Sequence, residues 1–127
     1  MSKRISERVI GCAYAVGNEL GPGFLEAVYE NALCFELKRE GIEVERQVPM
    51  DVYYKDEIVG KYFADILVDR RLLLELKSVS RLAPAHKAQV INYLKATNLR
   101  VGLLINFGKP RTEIQRVVWK HNETDFI

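Results

Sequence analysis

The chain has 127 residues, enough for one domain with its own hydrophobic core and no need of disulfide or metal staples. With 48% apolar and 28% charged residues it is neither disordered nor low in complexity, and Cys12 and Cys34 lack the paired spacing of a disulfide framework or a zinc site. The net charge of +2 is uneven: residues 1–65 hold 8 Lys/Arg against 12 Asp/Glu, and residues 66–127 hold 11 against 5, which permits a polyanionic partner without demanding one.

No apolar run reaches the roughly 18 residues that span a membrane. The basic start, MSKRISERVIGC, turns helix-periodic and contains Glu7, unlike a secretion signal. The expectation is a cytoplasmic protein with buried free thiols, a single domain over 1–127.

Residues 3–20 read as a helix, with Ile5, Val9, Cys12, Val16 and Leu20 on one face. Gly21-Pro22-Gly23 breaks the chain, and a second helix follows over 24–40 with Leu25, Val28, Ala32, Leu33 and Leu37 as its apolar set and Gly41 as its C-terminal cap. The period then shortens to two, predicting strands at 43–48, 50–54, 58–68 and 72–79, with turns at 55–57 and 69–71. LLLEL, nearly all apolar, reads as a central strand covered on both faces. Pro84 suits the first turn of a third helix, 84–97; VGLLINF at 101–107 is a buried strand and IQRVVW at 114–119 an edge strand. The tail HNETDFI is polar and expected to fray. The order is that of an α+β or mixed α/β sandwich, with a parallel crossover through the third helix.

Three charges stand out in these apolar strands: Asp65 in YFADILV, and Glu75 and Lys77 in LLLELKSV. Burying them is costly unless they pair or hold a metal. Glu75 and Lys77, two apart, share a face. A three-residue loop at 69–71 sets Asp65 opposite Glu75 and Phe63 opposite Lys77; a two-residue loop sends Glu75 to the other face. Opposed carboxylates at about 4 Å repel by roughly 1–4 kcal/mol, which a divalent cation reverses. Oxygen ligands without nearby His or Cys suit Mg²⁺ or Mn²⁺. The same charges also read as a structural ion pair of Lys77 with Asp65 or Glu75.

Asp65 followed after nine residues by Glu75-Leu76-Lys77 resembles the core of the PD-(D/E)XK nuclease superfamily, although Ala64 stands where that pattern has proline. Gly23-Phe24-Leu25-Glu26-Ala27-Val28-Tyr29 is similar to the signature of the prokaryotic GxxExxY family, grouped with those nucleases, and the likeness runs on through Gln89, Tyr93 and LLINFG at 103–108. The resemblance implies a restriction-endonuclease-like fold, a central mixed sheet flanked by helices, and a Mg²⁺- or Mn²⁺-dependent nuclease acting on DNA or RNA. It implies metal ligands Asp65, Glu75 and Glu26, with Lys77 supporting the attacking water and Gln89 contacting phosphate or water.

Without that likeness Glu26 reads as a solvated glutamate in a first helical turn. Tyr29, His86 and Tyr93 are expected beside the site, with Arg81, Lys87 and Lys95 as a diffuse basic surface for nucleic acid or merely solubilising residues. His86 also reads as a surface group at a helix start, and Asn106 as a strand terminus within reach of the cleft. A rival expectation is a non-catalytic module that binds nucleic acid or protein on the same fold. Cutting two strands would suit a homodimer, which the sequence does not decide.

Overall fold

The computed structural model of the chain describes residues 3–127. Helices α1 (Ile5–Leu20) and α2 (Glu26–Arg39) come first, followed by strands β1 (Val44–Tyr54), β2 (Glu57–Val68) and β3 (Leu72–Lys77). Helix α3 (Pro84–Thr97) then leads to strands β4 (Val101–Asn106) and β5 (Glu113–Val118) and a short 3-10 turn, Glu123–Asp125. The five strands form one sheet in chain order. Neighbours are antiparallel except β3 and β4, which run parallel and are joined through α3 as the sequence predicts.

Each face of the sheet has its own core. On one, Val9, Ala13, Leu33 and Leu37 of α1 and α2 pack on Leu72, Leu74, Leu76, Leu103 and Ile105. On the other, Val90 and Leu94 of α3 pack on Leu73, Leu104 and Val117. The near-continuous apolar reading of β3 and β4 follows from this double cover. Cys12 and Cys34 are buried free thiols on the α1–α2 side.

Several boundaries differ from the sequence reading. The two short strands predicted on either side of Pro49 are one strand, because β1 lies at the sheet edge, where proline is tolerated. The turn at 55–57 is a tighter one: Lys55 and Asp56 both have positive φ (48° and 68°), as in a two-residue hairpin turn. Helix α2 ends at Arg39, and Gly41, just past its C-cap Glu40, has φ 73°, a conformation glycine adopts without strain. The buried face of α2 is rotated from the predicted one, with Tyr29, Glu30 and Cys34 inside and Leu25 and Val28 exposed. The tail does not fray: Ile127 is buried, and Ser6 Oγ donates to its carbonyl at 2.6 Å. No helix among the described residues is long and apolar enough to cross a membrane.

Candidate active site

The 69–71 loop has three residues, closed by the Val68–Leu72 pair, and β2 meets β3 through Ile66–Leu74, Leu67–Leu73 and Val68–Leu72. One more step in this register sets Asp65 opposite Glu75. The ladder stops before that step, and a side chain takes over: the Leu76 N–H donates to the Asp65 carboxylate at 2.8 Å. The strands then part, so Phe63 is not opposite Lys77; it pairs with Pro49 on β1 and is exposed.

The parting has a local cause that strict alternation hides. In β1 and β2, Val44, Ile66 and Val68 pack on the α1–α2 side. Val48, Met50, Tyr62 and Ala64, of the same parity, pack on the α3 side. The ribbon therefore rolls over between Arg46 and Val48 and between Ala64 and Ile66. The residues at the roll are Gln47 and Asp65, which fall opposite one another in the β1–β2 register yet are missing from its paired residues. Gln47 carries the turn with φ 48°. Asp65 thus lies where both faces of the sheet reach it, with Glu75 on the α3 side and Glu30 of α2 on the other.

Glu75 is buried beside Leu73 on the α3 side, and the Tyr62 hydroxyl donates to its Oε1. Tyr62 stacks on Tyr93 of α3, ring centroids 3.4 Å apart. Burial pushes the Glu75 carboxyl up to about 7, aided by Glu26 and Glu30 and opposed by the Asp65 backbone N–H and Lys77. Asp65 is raised by burial and Glu30, against the Leu76 N–H, the Gln47 amide and Lys77. Glu26 is raised by burial and then by Asp65, with Lys77 opposing. Tyr93 is raised by burial, then by the charges of Glu75 and Asp65. Glu26, Glu30, Asp65 and Glu75 therefore form one electrostatic cluster, relieved in part by Lys77.

The donors are carboxylate oxygens with no His or Cys among them, the chemistry a hard divalent cation such as Mg²⁺ or Mn²⁺ suits. Asp65 and Glu75 fit as its ligands. Among the described residues no three His, Cys, Asp or Glu side chains gather into a ready cage, so Glu26 is near this pair without completing a triad with it.

Other expected site residues have different work. Tyr29 is fully buried and cannot contact substrate; its hydroxyl donates to the Gly21 carbonyl and accepts from the Phe24 N–H, fastening the loop that leads to Glu26. Its ring stacks on Phe107 at 4.7 Å. The buried aromatic belongs to the core because its polar tip finds partners in that loop. His86 caps its own helix, its Nδ1 accepting the Ala83 N–H at 3.0 Å. Gln89 is exposed, one helical turn before Tyr93 on the same face. Arg81, Lys87 and Lys95 are exposed, and Lys87 lines a 670 Å³ cavity with Leu82, Pro84, Ile91 and Arg116 that includes none of the carboxylates. Asn106 is tied to Val79 and Gly108 and does not serve the cleft.

Glu30, Gln47 and Tyr62 are the residues that sequence reasoning passes over. Glu30 follows Glu26 by four, the helical spacing that puts both on one face, and this was the one available signal. Gln47 and Tyr62 show no signal in an amphipathic strand pattern.

A model of the PD-(D/E)XK nuclease superfamily matches residues 3–117. No curated protein matches the chain. Among solved structures, that of SSO0001 is similar at a TM-score of 0.58 and 18% identity, over 80% of this chain and 54% of the SSO0001 chain. The chain thus spans about half the length of that protein, and the likeness concerns the fold alone.

Proposed function

The chain belongs to the PD-(D/E)XK nuclease superfamily, and from that premise we propose that it is a Mg²⁺- or Mn²⁺-dependent nuclease that hydrolyses phosphodiester bonds of nucleic acid, with DNA the favoured substrate. The observation that carries the reading is the end of the β2–β3 ladder. There Asp65 takes the Leu76 N–H in place of a strand bond, beside a buried Glu75 and a half-buried Lys77. A ladder bond given up to a half-buried carboxylate makes sense where the carboxylate has other work.

Asp65 and Glu75 would hold the cation, with Glu26 adding negative charge from the start of α2. When bound, the cation polarises a phosphodiester oxygen and lowers the pKa of the attacking water. Lys77, on the same side of β3 as Glu75, balances the carboxylates and stabilises the charge that develops on the phosphate. Gln89, exposed one turn from Tyr93, contacts phosphate or water. Exposed Arg81 and Lys87 add attraction for the backbone.

The test is cleavage of single- and double-stranded DNA and RNA with and without Mn²⁺ or Mg²⁺. The expected outcome is metal-dependent cleavage that falls by about 10²–10³-fold in Lys77→Ala. Cleavage unchanged by Lys77→Ala would place the activity elsewhere, and nucleic-acid binding without cleavage would leave a binding module on this fold.

A further inference from the structure

We propose that Gln47 is a positioning residue for Asp65, its amide bridging the Asp65 carboxylate to Glu30 so that α2 fixes where the Asp65 oxygens stand. The inference rests on the reading of Asp65 as a metal ligand. Gln47 opposes Asp65 at the roll of the β1–β2 ribbon, where the residues on either side are paired. Its Nε2 donates to Glu30 Oε1 at 2.7 Å. The other Glu30 oxygen is held by Arg46 at 2.8 Å, and Glu30 is only 9% exposed, so the anchor is itself fixed.

The amide is suited to this place. Its two N–H donors can serve two carboxylates at once, and it adds no charge. A lysine there would neutralise the cluster, and an acid would add to its repulsion.

A merely structural tie between β1 and α2 is the competing explanation. Arg46 already supplies it, donating to both Glu30 and Asn31. Gln47 is moreover held at φ 48°, a conformation uncommon for residues other than glycine, asparagine and aspartate. A second tie at a strained position adds little, whereas a bridge to Asp65 needs that backbone turn to aim the side chain.

The experiment is calorimetric titration of the metal-free full chain with Mn²⁺, with electron paramagnetic resonance of the saturated protein. Gln47→Asn keeps the amide and suits positive φ better, but is one methylene too short to span both carboxylates. The expected result is Mn²⁺ affinity lower by about 10–100-fold and an altered Mn²⁺ spectrum, with a metal-free Tm equal to or above that of the unaltered chain. Asn31→Ala, which removes Arg46's second partner on α2 and leaves Glu30 held, should leave Mn²⁺ affinity unchanged. Unaltered affinity in Gln47→Asn, or an equal loss in Asn31→Ala, overturns the bridge while leaving the nuclease reading intact. Failure of the unaltered chain to bind Mn²⁺ removes both.

Discussion

Strands β3 and β4 lie side by side, run parallel, and are six residues long. Each carries a buried polar side chain toward its C-terminal end, yet the two are treated in opposite ways. Asn106 of β4 is wholly buried and served on each side. Its Oδ1 accepts the N–H groups of Val79 and Gly108, each at 3.0 Å, and its Nδ2 donates to the Val79 carbonyl at 2.9 Å. Gly108 is required for this close approach, since a Cβ there would lie 2.2 Å from the Val79 carbonyl oxygen. Glu75 of β3 is buried with one hydroxyl donor from Tyr62 and a pKa pushed up to about 7. A neutral amide with its bonds made is a structural pin. A carboxylate buried with so little compensation has the perturbed acidity that active sites share, the ground on which Glu75 is proposed as a site residue.

The largest expected effect that sharpens this contrast is on activity. Glu75→Gln should lower metal-dependent cleavage by about 10²–10³-fold while leaving the fold intact, whereas a destabilised but folded Asn106 variant should keep its cleavage rate below its Tm. Steady-state cleavage beside a melting curve for each variant checks the pair. Equal loss of cleavage in both would break the contrast.

The next is the pH dependence of metal-free stability. The folded chain keeps the Glu75 proton until about pH 7, while the unfolded chain releases it near 4.5. The folded state thus binds more protons between these values, and this contribution is fully present below 4.5 and lost as pH rises through 7. At 1.36 kcal/mol per pH unit the loss is roughly 3 kcal/mol. Denaturant melts at pH 5 and pH 8 should show it, and Glu75→Gln should flatten it. A stability that instead rises over this range in the unaltered chain alone would contradict the assignment.

Asn106→Ala comes third. It leaves the Val79 and Gly108 N–H groups without their partner, at a cost of roughly 2–3 kcal/mol, seen as a Tm lower by about 6–12 °C. Tyr62→Phe is smallest: it removes one hydrogen bond to Glu75 but keeps the stack on Tyr93, and should cost about 1 kcal/mol at pH 8 and less at pH 5, where Glu75 is protonated. A larger cost at pH 5 would mean that Tyr62 does not serve the ionised form.

Much of this was legible in the residues. Period-two and helical patterns placed every principal helix and strand to within a few residues, and Pro84 and Thr97 bound the third helix as expected. The three-residue loop at 69–71 and the register that follows from it were also readable, because the side-chain period in a strand ties loop length to facing. The same rule then misled beyond Asp65. It assumes a ribbon that keeps its faces, and the ribbon rolls at Gln47 and Asp65. Phe63 therefore left the expected partner, and Tyr62 arrived over Glu75 instead.

The helices show the same limit. Tyr29 and His86 carry polar atoms that a sequence reading assigns to substrate, yet local backbone groups claim them first, at Gly21 and Phe24 and at Ala83. A motif states which side chains are present, but not which unsatisfied N–H or carbonyl lies nearest.

The sequence by itself determined the layered sheet, the parallel crossover and the presence of Asp65, Glu75 and Lys77 in core strands, because hydrophobic period and burial cost act over a few neighbouring residues. Only the tertiary structure decided the company these charges keep. Glu30 from α2, Gln47 from β1, and the Tyr62–Tyr93 stack meet them through contacts between elements distant in sequence. Such meetings depend on where a strand rolls and how a helix rotates on the sheet, and those are settled by packing the whole core.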